Sequence, residues 1–355
     1  MPSPAISTCL ALGLAASLCG CNLGYYGHLA RGQARILSSC QPLDELLAQD
    51  ELPDDVGARL RFVQEVRTFA GERLGLNTSK SYTCFYDTGD DPVSWNVSAS
   101  PPDRLEPYRW HFPIVGALPY KGFFSLSLAR RERDLLGAEG YDVILRSVSA
   151  YSTLGFFSDP VLSDMLKYPD DALADLLIHE LTHATVYVKG HTDFNESLAT
   201  FVGRRGSLDF LAERNGAESG SVCQALERRE DAARFGEFMR GVVATMDSLY
   251  QSGGRPEQIL SERSAVFEGT KDRYRALRGG LAEASRYDGF LQWEVNNARL
   301  LSYRRYHHNL EAFEQLWESR GQDLRATVEA LKQCGDADRP WQCAEGLGTA
   351  TADTP

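Results

Sequence analysis

Apolar residues recur every three to four positions over residues 53–75, "PDDVGARLRFVQEVRTFAGERLG", which predicts an amphipathic helix opening near Pro53 and stopping near Gly75. A similar pattern over residues 22–40 predicts a helix ahead of it. Between residues 80 and 120 the pattern changes. "SYTCFYD", "VSWNVSA" and "RWHFPIVG" are aromatic and β-branched with turn residues between them, and they predict three short strands. "FFSLSLARRERDLLGAEG" returns to a helical pattern, and "YDVILRSVSAYSTLG" predicts one long strand or a hairpin. From Asp170 onward the pattern is helical almost throughout. "DDALADLLIHELTHATVYVKG" opens on acidic residues, which suit a helix N-terminus, and closes at Gly190, a natural helix-stop residue. Asp193 is placed to cap the next helix, "FNESLATFVGRRGSLDFLAER". Further helices are predicted over 220–280 and 290–334. Strands followed by helices imply an α+β fold with a small mixed or antiparallel sheet and a mainly helical region. The division expected is a leader over 1–21, one domain over 22–345 and a disordered tail over 346–355. The domain's strand-containing part spans about 22–158 and its helical part about 159–345.

Composition narrows the possible partners. The chain has 355 residues, 43% of them hydrophobic, and a formal net charge of −12 without a long Lys/Arg block, so an acidic surface would repel nucleic acid. The opening "MPSPAISTCLALGLAASLCGC" has an apolar core from about Cys9 to Leu18. That is too short to span a bilayer and fits a secretory signal. "LCGC", Leu18 to Cys21, resembles the lipobox of bacterial lipoproteins. Acylation at Cys21 would tether the chain to the cell envelope without a spanning helix. Asn22 then points to the outer membrane, facing the periplasm. Beyond the leader lie Cys40, Cys84, Cys223, Cys334 and Cys343, an odd number with no CxxC pair, which argues against a cysteine-held metal. Cys334 and Cys343 can either close a local disulfide or stay reduced.

The chemistry concentrates in "LIHELTHATVYVKGHTDFNESLATFVG", residues 177–203. His179 and His183 are four apart on a predicted helix, so their imidazoles share a face, about 6 Å apart at Cβ. Two neutral imidazoles so placed can bind one Zn²⁺. Glu180 points to the neighbouring flank, where a general base acts on metal-activated water. A catalytic zinc takes three protein ligands. His191, Glu196 and Asp193 compete for the third place. His191 falls at the tip of the turn, about 10–12 Å from the histidine pair, and Asp193 suits a cap. If the turn centres near Gly190, the two helices form an antiparallel hairpin and Glu196 lies level with residue 184, beside His183. Glu196 is therefore the expected ligand, Glu180 the expected catalytic residue, and the expected reaction peptide-bond hydrolysis on a peptide or protein substrate. Tyr303 and Tyr306 are candidate donors to the oxyanion. "AYSTLG", with Tyr151, Ser152 and Thr153, is a candidate sheet edge for pairing with an extended substrate.

The same stretch resembles the helix pair of a bacterial family of predicted zinc aminopeptidases. "CNLGYYGHLARGQ", "FAGERLGL", "FPIVGALPYKGFFS", "GYDVILRSVSAYSTLGFFSDPVLS" and "NNARLLSYRRY" match in order from about residue 21 to 306. The resemblance implies a glutamate-zincin-like fold with one Zn²⁺ per chain. It implies His179, His183 and Glu196 as ligands, Glu180 as the catalytic residue, and aminopeptidase activity. Two features depart from that pattern. The chain has no GxMEN element, which holds a substrate's α-amine in many such enzymes. The position four after the ligand glutamate, an aspartate in thermolysin-like enzymes, is Thr200. An endopeptidase of the same mechanism and a non-catalytic, metal-binding envelope lipoprotein are the alternatives.

Overall fold

The computed structural model describes residues 24–49, 52–79, 81–89, 91–113, 116–148, 159–305 and 310–349. Cys21, Tyr151, Ser152, Thr153 and Tyr306, singled out above, lie outside the described residues. The architecture is α+β: small sheets of two or three strands set among many helices.

The N-terminal half supplies the strands. Helix α1 covers 24–39, followed by β1 (Gln41–Pro42), α2 (Leu43–Leu47) and the long α3 (Asp54–Glu72). β2 (Cys84–Tyr86) pairs antiparallel with β1 and parallel with β8 (Val161–Leu162). A Cys40–Cys84 disulfide ties the end of α1 to β2. The second sheet is antiparallel, in the order β6 (Lys121–Phe123), β3 (Ser94–Ser100), β7 (Asp142–Val148). It packs on α4 (Leu126–Ala138) through Val97, Ala99, Phe123, Ala129 and Leu136. A hairpin of β4 (Trp110–Phe112) and β5 (Gly116–Leu118) completes the strands. The three stretches that predict strands hold β2, β3 and β4. The short β1, β5, β6 and β8 have too few residues to show a period of two.

The C-terminal half is helical. α5 (Asp170–His183) and α6 (Thr192–Asn215) form a pair against α3. α7 (Gly220–Tyr250), α8 (Pro256–Arg278) and α9 (Asn297–Arg305) enclose an aromatic core around Phe235, Phe267, Tyr274 and Phe290. α10 (Glu311–Ser319), α11 (Leu324–Leu331) and α12 (Pro340–Thr349) close back on α6, where Phe194 and Phe201 meet Phe313. A Cys334–Cys343 disulfide links the segment after α11 to α12, and Cys223 is a free thiol at the surface. α12 runs to Thr349, so the first residues of the expected tail are helical rather than disordered. No helix among the described residues is long and apolar enough to cross a membrane.

Candidate metal centre

α5 buries one side completely. Leu173, Ala174, Leu177, Ile178 and Leu181 are inaccessible to solvent, while Asp175, Leu176, His179, Glu180 and His183 line a cleft of about 1500 Å³. Asp170 and Asp171 occupy the first turn, where negative charge is favoured, and are held by Arg59 and Arg228.

The helix stops at His183, well short of Gly190. The threonines explain the early end. Thr182 Oγ1 donates to the Ile178 carbonyl and Thr185 Oγ1 to the Leu181 carbonyl, both at 2.7 Å, competing for the acceptors of the last turn. Val186, Tyr187 and Val188 then favour extended backbone. Gly190 still turns the chain, with φ of +84°. The returning helix starts at Thr192. His191 takes its cap position without a side-chain cap bond, and Asp193 lies inside the first turn rather than capping it. Asn195 performs the fastening instead. Its Oδ1 accepts from the Val188 N–H at 2.9 Å and its Nδ2 donates to the Val188 carbonyl at 2.8 Å, both bonds buried. The loop is thereby clasped to α6 at the residue before Glu196.

The hairpin brings three side chains together. The Nε2 atoms of His179 and His183 are 3.2 Å apart. Glu196 places Oε2 3.5 Å from His179 Nε2 and Oε1 3.7 Å from His183 Nε2. Among the described residues these three form the one group of His, Cys, Asp or Glu side chains able to hold a metal ion, and neither His191 nor Asp193 joins it.

The donor set fits a divalent cation. An ion bonded at about 2.0–2.2 Å to tetrahedrally arranged ligands separates them by about 3.3–3.6 Å, close to the observed 3.2, 3.5 and 3.7 Å. Without a cation the arrangement is poor. Two ring nitrogens face each other so that at least one must carry a proton, and the carboxylate stands too far from either ring for a good hydrogen bond. Burial, with His179 adding and Glu196 opposing, pushes His183 down to about 4, so its ring is neutral and ready to ligate. Burial also opposes charge on His179, but Glu196, Glu180 and Asp175 together outweigh it and raise that pKa. His183 Nδ1 is buried without a hydrogen-bond partner among the described residues.

Asp175 is a residue that the sequence reading missed. It sits four positions before His179 on the same face, and its carboxylate acts on the His179 charge. Burial raises its pKa while His179, Arg229 and Arg204 oppose the rise. It places on α5 a negative charge beside His179, while Thr200, where such a group was sought, lines the cleft one turn beyond Glu196. Carboxylates behind metal-binding histidines orient the ring and raise its basicity. Asp175→Asn is therefore expected to weaken metal binding about 10–100-fold, measured by competition with a chromogenic chelator. A change below twofold would remove Asp175 from the centre.

Tyr82 was also missed, and nothing in "SYTCFYD" could have indicated it. It is 1% exposed, has a φ of +59°, and its hydroxyl has no hydrogen-bond partner among the described residues. Burial, and then the charge of Glu180, hold its phenol protonated. Tyr303 packs on Phe235 and Trp293 in the aromatic core. Its neighbour Ser302 reaches the cleft, accepting from Arg146 at 2.8 Å.

Searches of curated proteins and of solved structures find no significant match. A protein-family model does match, over residues 24–342, which takes in all three sheets, the cleft and the His179–His183–Glu196 group. On that match the chain belongs to the family described as "Putative aminopeptidase".

Proposed function

We propose that this chain is a zinc-dependent peptidase of the zincin type, tethered to the cell envelope through Cys21. The observation that carries the reading is the convergence of His179, His183 and Glu196 in a cleft that Glu180 also lines. The two imidazoles and the Glu196 carboxylate would hold the ion. Zinc bound there supplies a Lewis acid that acidifies a water molecule and polarises the peptide carbonyl. Glu180 stands one residue beyond the first ligand, so its carboxylate approaches the same space from the flank of α5. It takes the proton of the attacking water and passes it to the departing amine nitrogen. The second sheet lies across the cleft from α5, with Ser94, Asn96 and Arg146 on the wall. β7 is one of its two edge strands among the described residues and precedes Tyr151–Thr153 in the chain, which supports an extended substrate pairing along that edge.

One observation favours an endopeptidase over an aminopeptidase as the second reading. The carboxylates lining the cleft among the described residues are Asp175, Glu180 and Glu196; Glu196 is in the metal-capable group, and the other two are on α5 beside its histidines. None stands apart to receive a substrate's α-ammonium group.

The test is metal content and chelation on the purified full chain. One zinc per chain is expected. A chelator should abolish cleavage of a mixed peptide library, and stoichiometric zinc should restore it. A chain that takes up no zinc, or that cleaves equally well after chelation, would refute the reading.

A further inference from the structure

The cleft wall lacks the acidic excess of the whole chain. The protein is acidic, at −12, yet Arg146, Arg204 and Arg286 all line the cleft. The carboxylates there lie at or beside the His179–His183–Glu196 group, where a divalent cation, on the proposed reading, would offset two of their charges. Beyond the metal group the cleft is therefore cationic.

Two of the arginines are occupied. Arg286 pairs with Glu283 at 2.9 Å, and Arg146 donates to Ser302. Arg204 differs. Half-buried on α6, it makes no hydrogen bond and no ion pair among the described residues, and only longer-range charge interactions, attraction to Asp175 and repulsion from Arg229, act on it. The neighbouring Arg205 pairs with Glu314 and lies 3.6 Å above the Trp317 ring, and Arg228 pairs with both Asp171 and Glu283. A guanidinium held in a cleft without an acceptor is poised for one that arrives with a ligand. Its position fits a peptide. Glu196, Thr200 and Arg204 recur every four residues on the cleft face of α6, so Arg204 lies about 12 Å along the helix from the metal ligand. An extended peptide covers that distance in three to four residues, at about 3.3 Å each.

We infer that Arg204 is a carboxylate-binding subsite of the cleft, selecting peptide substrates that carry a negative charge within about three residues of the bond cut. The inference rests on the peptidase reading for the identity of the ligand as a peptide. The carboxylate is either the substrate's own C-terminus or an acidic side chain.

The experiment measures binding rather than turnover. It uses the zinc-loaded full chain carrying Glu180→Gln and fluorescein-labelled, alanine-rich hexapeptides, read by fluorescence anisotropy. One pair differs by a C-terminal carboxylate against a C-terminal amide. A second, amidated pair differs by one internal Glu against Gln. A charge-assisted bidentate contact predicts at least tenfold tighter binding of the anionic member in one of the pairs. The first pair identifies the terminus as the source of the charge, and the second identifies a side chain. Adding Arg204→Gln should bring the ratio to about one, and Arg204→Lys should keep part of it. The ratio is insensitive to a general loss of folded protein. A ratio near one before Arg204 is changed, a ratio unaltered by Arg204→Gln, or no binding of any peptide up to millimolar concentration would each overturn the inference. Failure of the peptidase reading has a separate signature, the absence of chelator-sensitive cleavage by the unsubstituted chain.

Discussion

Exchanging Glu180 for Gln should leave zinc bound in full while lowering the rate of peptide cleavage by about 10²–10⁴. The two halves of this expectation have different causes. Zinc should stay because, on the proposed reading, His179, His183 and Glu196 are the group that would hold the ion, and Glu180 is not among them. The rate falls because Gln has the shape of Glu but cannot accept a proton, and proton transfer by a positioned carboxylate contributes about that factor. Fold stability should move by no more than about 0.5 kcal/mol, since Glu180 faces the cleft while the buried residues of α5 stay as they are. Metal analysis, a thermal melt and initial rates on one peptide, all on the same preparation, separate these effects. A variant that loses zinc would show Glu180 to be a ligand. One that binds zinc and cleaves within threefold of the parent would place the base elsewhere.

How much of this centre was legible in the sequence depends on how local each relation is. His179 and His183 share a helix turn, so their spacing alone puts them on one face. Glu196 required a tertiary assumption, an antiparallel hairpin. It meets the two rings in the structure even though α5 ends at His183 instead of Gly190. The assumption tolerated the error because an extended loop clasped by Asn195 replaces the missing helical turns while Gly190 still reverses the chain. Asp175 could have been found by stepping one turn back from His179, but an aspartate in an acidic helix start reads first as favourable charge at the N-terminus. Tyr82, Arg204 and the Cys40–Cys84 bridge depend on segments far apart in sequence, and no local period reports such contacts. The α+β architecture was legible because the change from β-branched, aromatic runs to helical spacing falls near the middle of the chain.

Gly203→Ala should damage the metal centre from outside the ligand set, costing about 1–3 kcal/mol of stability and weakening zinc binding at least tenfold. A Cβ at this position would lie 2.4 Å from Asp175 Oδ1, 2.9 Å from the Asp175 carbonyl oxygen and 3.2 Å from His179 Cβ. The carboxylate could rotate away, but the carbonyl is backbone of α5 and cannot. Relief therefore requires α6 to move off α5 by several tenths of an ångström. The two histidines ride on α5 and Glu196 on α6, so the same displacement stretches one ligand away from the other two. Metal–ligand distances tolerate about 0.2 Å, so a shift that packing could absorb is still large for the ion. Gly206→Ala is the control. Its Cβ would meet Leu74 Cδ1 at 2.7 Å and the Ile178 methyl groups at 3.2 and 3.3 Å, all ends of side chains that can turn aside. That variant should lose less stability and little zinc affinity. Melts with and without chelator, together with zinc competition on both variants, read the difference. Equal zinc affinity in the two would mean that the spacing of α5 and α6 at Gly203 does not set the geometry of the centre.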